Sequence, residues 1–165
     1  MRLSDILSAG PGGRAQVHYP GIPITILLPS AVRDHFAMGT LQQWLVGAFT
    51  PGMTWRNGIA ISEPLLGVQD WRQVLTLFVH ENVHWWQLWR RMGPTDFPAT
   101  YGWQALLSRV RHGSAHMHDE HLVEREAKRI AANVMAEIDV QLTVRQPVTF
   151  DLTAWLEQHL PASRP

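Results

Sequence analysis

His80-Glu81-Asn82-Val83-His84 reads H-E-x-x-H, a spacing with a chemical meaning when it lies on a helix. Residues four apart are offset by about 40° and one turn, so His80 and His84 can offer imidazole nitrogens to one Zn²⁺. Glu81 lies beside them. Two neutral imidazoles leave the metal a strong Lewis acid, and a carboxylate within reach of its bound water can take that water's proton and pass it to a leaving amine.

The helix that carries the motif can be traced from both ends. Asp70 followed by Gln73 has the form of a helix cap, and Gly93-Pro94 stops the helix just past Arg90 and Arg91, whose charge suits a C-terminus. On its wheel Trp71, Val74, Leu75, Phe78, Val79, Trp86 and Trp89 share one side. Gln73, His80, His84, Gln87 and Arg91 share the other. The histidines thus line the polar face of a helix whose opposite face is buried, as the wall of a cleft requires. Trp85 and Trp86 read as core packing rather than as a substrate wall.

Other elements follow from local signals. IPITILL, residues 22–28, is a β-branched strand. Ser30 is placed to cap a helix over 31–38, and LQQWLVGAF is a second helical stretch. Residues 53–62 read as a hairpin turning at Asn57-Gly58 with Ile59, Ala60 and Ile61 as its paired part. A peptidase can bind substrate by adding it to such a strand through backbone hydrogen bonds, which makes Ile59–Ile61 the candidate substrate-binding strand. After a PTDFP loop, a helix is expected near 100–111. The histidines in RHGSAHMHDEH (His112, His116, His118, His121) are irregularly spaced and read as surface residues, with a catalytic role for one of them as the minority reading. An amphipathic helix runs from Asp119 to about Val140, and a short one lies near 152–160.

Composition narrows the function. The chain has 165 residues, 45% of them hydrophobic, enough for one core, so a single domain spanning 1–165 is expected, with 1–16 and 161–165 flexible. Lys plus Arg equal Asp plus Glu at 14 each, which offers no field for nucleic acid or an anionic membrane. There is no Cys, so His and carboxylates must hold any metal. The N-terminus is a poor secretory signal; a soluble chain, cytoplasmic by default, is expected.

HENVHWWQ, RRMGP and HLVEREAKRIA together resemble the small gluzincin metallopeptidases, often called minigluzincins, over roughly residues 53–138. The resemblance implies an α+β, zincin-like fold: a small β-sheet packed on the motif helix and on a second helix that carries a third ligand. It implies one Zn²⁺ held by His80, His84 and Glu124, Glu81 as general base, and the strand near 59–61 as the rim of the cleft. Related membrane-bound peptidases place an Asp four residues after the third ligand, where this chain has Lys128. Tyr101 and His112 are the candidates, by order along the chain, for stabilising the oxyanion. The wheel of the later helix favours Glu124 over Glu126 as ligand. Val123, Ala127, Ile130, Ala131, Val134, Met135 and Ile138 form its apolar face; Glu124 falls about 50° from the centre of that face and Glu126 about 100°, on a flank suited to a solvated residue.

The expected function is hydrolysis of a peptide or protein substrate by a water that the metal and Glu81 activate. The alternatives are a catalytically idle, zinc-stapled binding module and a toxin- or phage-associated domain with a specific protein target. A base beside the ligands favours activity, since a purely structural metal site has no use for one.

Overall fold

The structure is a computed structural model that describes residues 1–34, 52–55, 58–67, 69–112, 122–144 and 146–160. Its first sheet is built around the strand expected at 22–28, observed as β3 (Ile24–Leu27), with Ile24 and Ile26 buried and the alternate residues less so, the period of a half-covered strand. The full sheet has the order β1-β2-β3-β7, where β1 is Leu7–Ala9, β2 Ala15–His18 and β7 Val148–Asp151. The last pairing is parallel and the others antiparallel.

Residues 1–16, expected to be loose, instead form helix α1 (Leu3–Ile6), β1 and the start of β2. The Gly-Pro-Gly-Gly run reverses the chain rather than freeing it: Gly12 and Gly13 take φ of 68° and 74°, a region glycine enters without steric cost. Ile6 and Val17, on either side of that reversal, are fully buried. Arg14 then clamps the two chain ends, donating to both carboxylate oxygens of Asp151 at 2.8 Å and to Thr153 Oγ1 at 2.6 Å. The guanidinium holds the Asp151 carboxyl down to about 2.

The second sheet has the order β4-β6-β5, with β4 Val32–Asp34, β5 Gly52–Trp55 and β6 Gly58–Ile61. β5 and β6 form the expected hairpin, with Met53 opposite Ala60 and Thr54 opposite Ile59. Two expectations fail here. The helix over 31–38 is a strand at Val32–Asp34, parallel to β6. Ser30 does not cap it, because its hydroxyl and N–H both donate to Asn82 Oδ1, at 2.8 and 3.2 Å. Residues 35–38 and the stretch 41–49 lie outside the described residues. The second correction concerns Ile59, Ala60 and Ile61. β6 is the middle strand, hydrogen-bonded on both edges, and all three residues are buried, so this backbone has no edge left for a substrate strand.

The helices continue with α2 (Glu63–Leu66), α3 (Trp71–Trp86), α4 (Gly93–His112), α5 (Leu122–Val144) and α6 (Leu152–His159). Asp70 caps α3 as expected, its Oδ1 accepting from Gln73 N at 2.8 Å. At Gln87–Met92 the chain widens into a π-helical segment, and Gly93, with φ 83°, turns it into α4. The expected break is therefore present, but the PTDFP loop is not: α4 starts at Gly93 and carries Pro98 inside it. Pro94 falls in the first turn, where a missing N–H costs nothing. The tail helix is capped by Asp151, which accepts from Ala154 N at 3.0 Å.

Buried side chains from both sheets, α3, α5 and α6 form one contiguous core. α3 runs through it, packed against α5 on one side and β5 and β6 on another. Consequently its polar face is not an open wall: His84 and Gln87 are 5% and 1% exposed. The architecture is α+β. Among the described residues, no helix is long and apolar enough to cross a membrane.

Candidate metal centre

α3 and α5 bring the three expected ligands together. His80 Nε2 lies 3.0 Å from Glu124 Oε1, and His84 Nε2 lies 3.0 Å from Glu124 Oε2. The imidazoles meet edge to face with centroids 4.6 Å apart. One ligand atom from each of the three residues lies within 4.8 Å of the others, a group that can hold a metal ion. Atoms bound tetrahedrally at zinc's usual bond lengths sit about 3.3 Å apart, close to each of the two 3.0 Å N–O contacts, which use different oxygens of Glu124. The donor set of two imidazoles and a carboxylate, with no thiol, fits zinc and other borderline divalent ions.

The electrostatics of the triad follow from its burial. Glu124 is 8% exposed; burial would raise its pKa, but hydrogen bonds from His80 and His84 reverse the sign and hold it well below the usual carboxylate range. For His84, burial opposes the imidazolium, and the bond to Glu124, the Glu81 charge and Gln87 together outweigh it, leaving the pKa raised. Both histidines thus converge on one buried carboxylate, and a metal ion bound there would compete with the proton on His84.

Glu81, 5% exposed, is buried beside the motif histidines and is held by β5. Thr54 Oγ1 is 3.0 Å from its Oε2 and 2.9 Å from its backbone oxygen. Gly52 lies against it: a Cβ there would fall 2.8 Å from Glu81 Cγ and Oε1. Burial raises the Glu81 pKa, only partly offset by His84, His80 and the Thr54 hydrogen bond. That is the direction a general base needs if it is also to return its proton.

Of the two oxyanion candidates, Tyr101 is seen to reach the cluster. Its hydroxyl is 3.5 Å from Glu124 Oε2, and its ring stands edge-on to His84 at 5.9 Å, backed by Phe97 at 5.8 Å. The backbone of His112 lies three turns further along α4, about 16 Å away along the axis, and its side chain is outside the described residues, as are His116, His118 and His121.

Glu126 is not the solvated residue its wheel position suggested. It accepts from Gln87 Nε2 at 3.0 Å and from Arg91 at 2.6 and 2.7 Å. Gln87 in turn lies 2.9 Å from His84 Nδ1 through its Oε1. A hydrogen-bonded chain therefore runs behind His84 from Gln87 to Glu126 and Arg91. Sequence reasoning put Gln87 on the right face but gave it no role, although its place three residues after His84 makes the two side chains neighbours on a helix. Thr54 and Gly52 were missed, because nothing local marks a strand residue that will meet α3.

β5 is the strand beside Glu81 and, among the described residues, an edge of its sheet. No family model, curated protein or solved structure matches the chain.

Proposed function

We propose that the chain is a zinc-dependent peptidase of the gluzincin type, with a zincin-like arrangement of sheet, motif helix and ligand helix. The observation that carries this reading is the geometry of Glu124, which meets Nε2 of both motif histidines at 3.0 Å while Glu81 stands buried beside them. Zn²⁺ held by His80, His84 and Glu124 would supply a Lewis acid for the scissile carbonyl and bring the pKa of a water to about 7.

The remaining chemistry belongs to the protein. Glu81 accepts the proton of the attacking water and returns it to the leaving nitrogen, with its carboxylate kept in place by Thr54 and by the close approach of Gly52. Tyr101, at the rim of the triad, donates its hydroxyl to the oxygen that gains charge in the transition state. β5 rather than β6 receives the extended substrate, because β5 has a free edge among the described strands and its Thr54 and Gly52 lie against Glu81.

A second reading, the idle zinc-stapled module, is favoured by one observation: His84, Glu81 and Glu124 are all more than nine-tenths buried, as in closed structural sites. Glu81→Gln separates the two. The amide is nearly isosteric but cannot accept a proton, so zinc should stay while cleavage of denatured proteins disappears. Zinc-loaded wild type that cleaves no denatured protein would favour the idle module.

A further inference from the structure

Gln87 is almost fully buried, and its neighbours fix which way its amide points. One end lies 3.0 Å from Glu126 Oε2 and 3.4 Å from the Val123 carbonyl oxygen. Both are acceptors, so that end is the NH₂. The opposite end, Oε1, faces His84 Nδ1 at 2.9 Å, and an acceptor there requires a hydrogen on Nδ1. His84 is thereby held with Nε2 directed at Glu124 and the triad. Glu126 cannot drift from this task, because Arg91 grips both its oxygens. The π-helical widening begins at Gln87 and carries both Gln87 and Arg91, which is the local irregularity often found where a helix serves a site.

We propose that Gln87 is a positioning residue: backed by Glu126 and Arg91, it fixes the tautomer and ring orientation of His84 so that Nε2 is presented to the metal. This rests on the metal-site reading above. A ligand histidine commonly donates its second N–H to a carboxylate. Here a neutral amide takes that place and the carboxylate stands one step behind, so the ring is oriented with less charge donated to the metal.

The test is a competitive chelator titration with zinc alone on the full chain, together with ¹⁵N NMR of the histidine side chains in the zinc-loaded protein. Gln87→Leu should weaken zinc binding by about 10–100-fold and lose the protected Nδ1 proton of His84. Gln87→Glu alone should also weaken it, since the new carboxylate faces Glu126. Adding Glu126→Gln should restore most of the lost affinity, because the amide introduced at 126 can donate to the new carboxylate, and only the 3.4 Å contact with the Val123 carbonyl oxygen is left without its donor. That exchanged pair keeps size and polarity and decides the matter even if Gln87→Leu does not fold. Wild-type affinity in Gln87→Leu, or an exchanged pair no better than Gln87→Glu alone, overturns the positioning role and leaves the metal site standing. A wild-type chain that takes up no zinc overturns both.

Discussion

Thr54 Oγ1 lies 2.9 Å from the backbone oxygen of Glu81 and 3.0 Å from its carboxylate Oε2, and a hydroxyl with a single hydrogen can donate to only one of them at a time. This arrangement serves both protonation states of Glu81. With the carboxylate ionised, Thr54 donates to it. With the carboxyl protonated, Thr54 can turn its hydrogen to the backbone oxygen and accept from the acid. A carboxyl that gains and loses a proton is thereby held at the same place in both states.

Thr54→Val, which keeps the shape and removes the hydroxyl, is expected to retain zinc and lower kcat by about 10–100-fold, the range for losing a hydrogen bond to a charged group. Thr54→Ser should recover most of that loss. Steady-state kinetics with zinc content measured on the same samples checks this; equal rates in Thr54→Val and wild type would remove the hydroxyl from the account.

Tyr101→Phe should leave zinc affinity nearly unchanged, because its 3.5 Å contact with Glu124 is a weak one, and should lower kcat by about 10²–10³-fold if the hydroxyl stabilises the oxyanion. KM should move little. A change confined to KM would place Tyr101 in substrate binding instead.

The pH response should differ between metal-free and zinc-loaded protein. Burial raises Glu81 above its ordinary 4.5, and His84 is raised above 6.5 because Glu124, Glu81 and Gln87 outweigh its burial. Groups raised on folding stabilise most below their unfolded pKa, and that contribution is lost as pH rises through the folded value. Glu124 is lowered on folding, so its contribution is lost only as pH falls through a value far more acidic. The metal-free chain should therefore lose Tm over the interval that begins at the ordinary carboxylate value and runs past the ordinary imidazole value. Zinc competes with the proton on His84, so the rise in Tm on adding zinc should grow over the same interval. Calorimetry with and without zinc checks both; a metal-free Tm that climbs across this window would contradict the assignment.

The parts of the site that lie on helices were legible from sequence because helical periodicity fixes neighbours. His80 and His84 share a face by spacing alone, and the wheel that set Glu124 nearer the buried side than Glu126 agrees with the observed contacts. What depended on distant pairing was not legible. β6 became a middle strand only because Val32–Asp34 pairs with it, and the Ser30 hydroxyl left its expected cap for Asn82, 52 residues away. β7 is too short to stand apart from the helix it leads into: Val148 and Phe150 alternate as a strand should, but over four residues only. The same wheel set Glu126 on a flank suited to a solvated residue and could not reveal that Gln87 and Arg91 would lie against it.

The central claim is that His80, His84 and Glu124 form one metal site. Zinc content per chain, measured after equilibration with zinc and removal of the excess, tests it most directly when wild type is compared with His84→Ala and Glu124→Ala. About one zinc per wild-type chain is expected, and close to none in either variant, each checked as folded by circular dichroism. A folded Glu124→Ala or His84→Ala protein that keeps full zinc occupancy, or a wild-type chain that holds none, would contradict the claim.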